Sequence, residues 1–116
     1  MFNFNHVTIS AEKLEKTIEF YNKFGFKLHK EYHDDSVDII MLKLNNMIFE
    51  IFHYPNYDSL PEHSKDLEKD LKTIGNKHFG LGVKDINYIS FFLINKNGIM
   101  SLKEILWKKD LIKLKQ

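Results

Sequence analysis

The chain has 116 residues, 43% hydrophobic and 14% aromatic, which suits one folded domain with a real core and excludes a disordered composition. Its net charge is +1, from 17 cations and 16 anions, so charge gives no reason to expect a nucleic-acid or membrane partner. Every cation is a lysine and there is no cysteine, which removes bidentate arginine clamps, thiolate metal sites, disulfides and cysteine nucleophiles.

The opening residues 1–6 have no basic and apolar leader pattern, and no apolar run reaches spanning length, so a cytoplasmic protein is expected. Residues 4–9 alternate as a strand, with Phe4, His6 and Thr8 on one face and Asn5, Val7 and Ile9 on the other. Ser10 is the expected cap of a helix in which Leu14, Ile18 and Tyr21, with Ala11 and Thr17, fall at helical spacing. Gly25 is the natural stop. Strands follow over 27–33, 37–44 and 47–54, separated by the turn residues Asp34-Asp35-Ser36 and the tight pair Asn45-Asn46. That last turn sets Met41 opposite Glu50 and Asp38 opposite His53.

Residues 55–77 read as a connector with a short helix over 64–74, its Leu67, Leu71 and Ile74 on one side and Gly75 as stop. A strand is expected over 78–83 and a helix over 85–97. A shift of 72 residues lays His6 on His78, Val7 on Phe79, Leu14 on Ile86 and Phe20 on Phe92, so the order of histidine, alternating strand and helix occurs twice. In the tail, 100–116, Ser101 and Glu104 fit a helical capping box, whereas a full repeat would require strands.

Chemistry concentrates at three positions. His6 and His78 occupy equivalent places on equivalent strands. Glu50 stands in the middle of an apolar strand, on the face of Ile48 and Phe52, where an unpaired buried carboxylate would cost several kcal/mol, on the order of an uncompensated charge. Two imidazoles and a carboxylate suit Zn, Ni, Co, Mn or Fe(II). His29, His33, His53 and His63 lie at turns or mixed faces, and His53 is expected to pair with Asp38. Lys108-Lys109 reads as a solvated face, and Phe91, Phe92 and Trp107 as core.

These segments resemble a known superfamily. His6-Val7-Thr8-Ile9-Ser10 with Leu14-Glu15-Lys16, Phe20-Tyr21 and Gly25-Phe26 is similar to the opening of the glyoxalase/bleomycin-resistance/dioxygenase, or vicinal-oxygen-chelate, proteins. Residues 49–55 look like that family's strand bearing a ligand glutamate, and residues 78–86 like the opening of its second module. The resemblance implies an α+β fold of paired βαβββ modules, here with the second incomplete: 1–55 as the first module, 56–77 as connector and 78–116 as a partial second. It implies a metal held by His6, Glu50 and His78, with Glu50 also the catalytic base, in a lactoylglutathione-lyase-like lyase or isomerase that chelates vicinal oxygens of a small substrate. The 72-residue shift puts the partner of Glu50 at position 122, past Gln116, so a fourth ligand is expected to be missing or to come from another chain. A metal-independent, antibiotic-binding protein of the bleomycin-resistance type is the alternative, with Phe4, Met41, Ile48 and Phe52 lining its cleft. A dioxygenase with a His/His/carboxylate site ranks third. The resemblance also implies a homodimer.

Overall fold

The computed structural model describes residues 1–85 and 87. The chain divides into two compact units, Met1–Gly80 and Leu81–Gln116, and every strand and helix given below lies in the first. The order is β1 (His6–Ser10), α1 (Leu14–Asn22), β2 (Lys27–His33), β3 (Asp38–Leu44), β4 (Met47–His53), a 3-10 helix (Glu62–Lys65) and α2 (Leu67–Lys72). The four strands form one sheet in the order β1-β4-β3-β2. The expected βαβββ module is present, and with it the mixed α+β class.

Alternation along the strands decides the two faces of this sheet. Ile40 and Leu42 on β3, and Phe49 and Ile51 on β4, are buried, while the residues between them are half-buried or exposed. On the buried side Tyr21 of α1 lies 4.2 Å, centroid to centroid, from Phe49. Phe26, just after the helix, is 5.9 Å from both Tyr21 and Phe49. The core is therefore an aromatic wedge between α1 and the middle strands. Burying one such ring contributes about 1.5–3 kcal/mol, so the wedge outweighs the weak propensity of a helix only nine residues long.

The turns obey local chemistry. Gly25 ends the helix at φ +96°, a backbone region costly for residues with a Cβ. Asn45 takes a positive φ of 52° in the β3–β4 hairpin, which pairs Met41 with Glu50 and Asp38 with His53 as the turn residues require. Asp34 fastens the β2–β3 turn. Its Oδ1 accepts from the Ser36 amide at 2.7 Å, the Ser36 hydroxyl at 2.8 Å and the Val37 amide at 2.9 Å. These donors hold its carboxyl down at about 2.

Several sequence expectations are corrected. Ser10 ends β1 and does not cap α1; the N-cap is Lys13, without a side-chain cap bond. The Ala11 amide donates to the Phe52 carbonyl at 2.8 Å, so chain leaving β1 stays tied to β4 for one more residue and the helix starts late. The helix expected over 64–74 is split into the 3-10 turn and the six-residue α2, capped by Asp66, whose side chain accepts from the Lys69 amide at 2.9 Å. Its apolar side is not buried among the described residues, with Leu67, Leu71 and Ile74 all exposed. Residues 78–83 form no strand. A strand exists only through a ladder partner, and no described strand pairs with this segment. Phe79 nevertheless packs 5.1 Å from Phe49, which places that one side chain against the core. Asp85 accepts from the Asn87 amide at 2.9 Å, as an N-cap does. Apart from Asp85 and Asn87, the helix expected over 85–97, with Phe91 and Phe92, lies outside the described residues, as do the tail 100–116, Trp107 and Lys108-Lys109.

Candidate functional site

The sheet's second face is not covered by α1, and it carries the candidate residues. β1 runs parallel to β4 with His6 paired to Ile48, Thr8 to Glu50 and Ser10 to Phe52. Ladder partners share a face, so His6, Thr8, Ile48, Glu50 and Phe52 all stand on the side opposite Phe49 and Ile51. β3 adds Ile39, Met41 and Lys43, through their pairing with Phe52, Glu50 and Ile48. The apolar middle of this face is Ile39, Met41, Ile48 and Phe52, each half-buried. Phe4 precedes β1 and is 77% exposed, so it lines no part of the described face.

Glu50 is half-buried, and its Oε1 accepts a hydrogen bond from the Thr8 hydroxyl at 2.9 Å. The burial cost that a metal was expected to offset is thus met in part by a neighbouring strand residue. Sequence reasoning placed Thr8 on the face of His6 but could not pair it with Glu50, because that contact depends on the β1–β4 register, across 42 residues of chain. His6 is exposed, with Nδ1 2.7 Å from Asn5 Oδ1. With Nδ1–H donating to that oxygen, the lone pair sits on Nε2, the tautomer in which imidazole serves as a ligand or base.

His78 lies on the irregular segment after α2 and is exposed. Among the described residues, no three His, Asp or Glu side chains converge to hold a metal ion. The fold therefore brings His6 and Glu50 to one face of adjacent strands and leaves His78 outside a three-residue cluster with them. The donor chemistry of His6 and Glu50 fits a divalent cation as two ligands of a larger set.

The remaining histidines lie away from this pair. The expected His53–Asp38 pairing holds for the backbones but not the side chains: His53 Nδ1 donates to the Ala11 carbonyl at 2.9 Å, and Asp38 takes His33 Nδ1 instead, at 2.6 Å. His33 sits on the neighbouring strand in register with Asp38, and that hydrogen bond raises its pKa above the ordinary 6.5. His63 lies 4.0 Å from Asp70, and His29 falls in the register shift of β2.

The sequence profile of the Glyoxalase/Bleomycin resistance protein/Dioxygenase superfamily matches residues 3–96. The chain belongs to that superfamily. Among solved structures it is similar to a glyoxalase family protein from Enterococcus faecalis, with 27% identity and a TM-score of 0.67 over 84% of this chain and 74% of that one. It also resembles the structure of SMU.1112c, at 24% identity and a TM-score of 0.56 over 86% and 77% of the two chains, a likeness of fold alone. No curated relative matches the chain. No described helix is long and apolar enough to cross a membrane.

Proposed function

We propose that the open face of the sheet binds a small oxygenated molecule and that the chain acts on it as a divalent-metal-dependent lyase or isomerase, with His6, Glu50 and His78 as metal-holding residues. The observation that carries this reading is the β1–β4 register, which sets His6 and Glu50 two residues apart along adjacent strands on one face. A bound divalent cation would supply Lewis acidity toward the substrate oxygens. The protein's own contribution is positional. Asn5 holds the His6 ring through Nδ1. Thr8 holds Glu50 through Oε1, leaving Oε2 to accept a proton from a substrate carbon as general base. The half-buried Met41, Ile48 and Phe52 stand beside that carboxylate on the same face and give the ligand an apolar surface.

A second reading has its own support. Glu50 already has a hydroxyl partner and no described trio of ligands converges, which suits metal-independent binding of a small molecule over the apolar middle of the same face. Calorimetric titration with Ni²⁺ and Zn²⁺ separates the two. The metal reading expects near-stoichiometric binding that weakens by more than about tenfold in His6→Ala and in Glu50→Gln. Saturable binding absent from the parent chain refutes it and leaves the second reading.

The working form is proposed to be a cytoplasmic homodimer. β1 and β2 are the two edges of the described sheet, and open edges present unpaired backbone groups to another chain. Light scattering over a dilution series tests this; a mass staying near 13.9 kDa throughout rules out the dimer.

A further inference from the structure

The pairing of all four strands arranges the open face into rows. One row runs His6, Ile48, Lys43, Lys27; the next runs Thr8, Glu50, Met41, Lys30; the third runs Ser10, Phe52, Ile39, Tyr32. The two halves of the face therefore differ in chemistry. The β1–β4 half carries an imidazole, a hydroxyl and a carboxylate. The β3–β2 half carries three lysines, all exposed, separated from the first half by the apolar side chains of Ile48 and Met41.

None of Lys27, Lys30 or Lys43 is in an ion pair with a described residue. Lys27 and Lys43 are direct cross-strand partners, and like charges placed opposite one another destabilise a sheet. Protection of an edge strand accounts for lysines on β2. It does not account for Lys43, which lies on β3, an interior strand. Strands lie about 4.8 Å apart, so backbone positions two strands apart in a row, such as His6 and Lys43 or Glu50 and Lys30, are separated by roughly 10 Å. That span fits a small extended molecule.

We infer that Lys27, Lys30 and Lys43 form an anion subsite, and that the ligand of this face carries a carboxylate or phosphate at the end remote from His6 and Glu50. The inference rests on the proposed use of the open face, and it adds the charge and polarity of the ligand. Flexible ammonium groups attract such an anion as point charges, without the fixed fork that arginine would impose.

The test is an amide-resolved NMR titration of the full chain with sodium phosphate and, separately, sodium acetate, with ionic strength held constant by chloride. Saturable shifts centred on Lys27, Lys30 and Lys43 are expected, weakened at least tenfold in a Lys27→Gln/Lys30→Gln/Lys43→Gln variant. Compared at about pH 5.5, where both probes are mainly monoanions, stronger binding of phosphate points to a phosphate ester as the ligand class, and stronger binding of acetate to a carboxylate. The same titration on Glu50→Gln is expected to give unchanged anion affinity. The anion subsite and the metal reading therefore fail separately: loss of metal binding with retained lysine-centred shifts removes only the metal. Non-saturating shifts, shifts spread over the whole surface, or equal affinity in the triple variant overturn the anion subsite. The triple variant's amide spectrum away from these positions, unchanged from the parent, establishes that it is folded.

Discussion

Replacing Phe49 by alanine tests the aromatic wedge most directly. Phe49 is 0% exposed, and its ring meets Tyr21 at 4.2 Å, Phe79 at 5.1 Å and Phe26 at 5.9 Å. Removing it forfeits the ring's transfer free energy and three aromatic contacts, and leaves a cavity walled by helix, sheet and loop. Phenylalanine-to-alanine changes in such places cost about 3–5 kcal/mol. Phe79 lies on an irregular segment, so one wall can move inward, which favours the lower half of that range. For 116 residues, at roughly 0.05–0.15 kcal/mol each, total stability is on the order of 6–17 kcal/mol, so the loss is a large fraction of it. Urea unfolding followed by far-ultraviolet circular dichroism gives the value, with Phe4→Ala as control. Phe4 is 77% exposed, and its truncation is expected to stay within about 0.5 kcal/mol. Equal effects of the two substitutions would refute the assignment of Phe49 to the core.

Other outcomes follow from single features. Gly25→Ala is expected to cost about 1–2 kcal/mol through its positive φ. The added Cβ would meet Leu44 Cδ1 at an ordinary 3.4 Å, so adding Leu44→Ala should not restore the thermal midpoint; restoration would mean the cost was steric. Asp34 has its carboxyl lowered from 3.8 to about 2 by the Ser36 and Val37 donors. Its stabilisation is present above about 3.8 and lost as pH falls toward 2, so Asp34→Asn should flatten the acid limb of a melting-temperature profile. His33 is raised above 6.5 by its bond to Asp38; its contribution is complete below 6.5 and fades as pH rises above that value, so His33→Gln should reduce the fall in melting temperature on the alkaline side of 6.5. Asp66→Ala should cost α2 about 1 kcal/mol of local stability, read as faster hydrogen exchange at the Lys69 amide; unchanged exchange would show that the cap bond contributes nothing.

The βαβββ order is legible along the chain, because its elements carry local signatures. Alternation in 37–44 and 47–54 marks half-buried strands, the stop at Gly25 needs a residue without a Cβ, and Asn45-Asn46 selects a tight hairpin that fixes the Met41–Glu50 register. Alternation alone also put His6 on the face of Thr8 and Glu50 on the face of Ile48 and Phe52. Contacts that need a particular neighbouring strand are not legible in this way. Parallel pairing of β1 with β4 gave Glu50 its Thr8 partner, and pairing of β2 with β3 gave Asp38 to His33 and left His53 to the Ala11 carbonyl. The same dependence explains residues 78–83. Their alternation equals that of β1, but a strand is a hydrogen-bonded pairing and not a property of one segment, so alternation could place Phe79 toward the core without making the ladder. The three rows of the open face were invisible for the same reason: Lys27, Lys30 and Lys43 become neighbours only when the strands on which they lie are laid side by side in register.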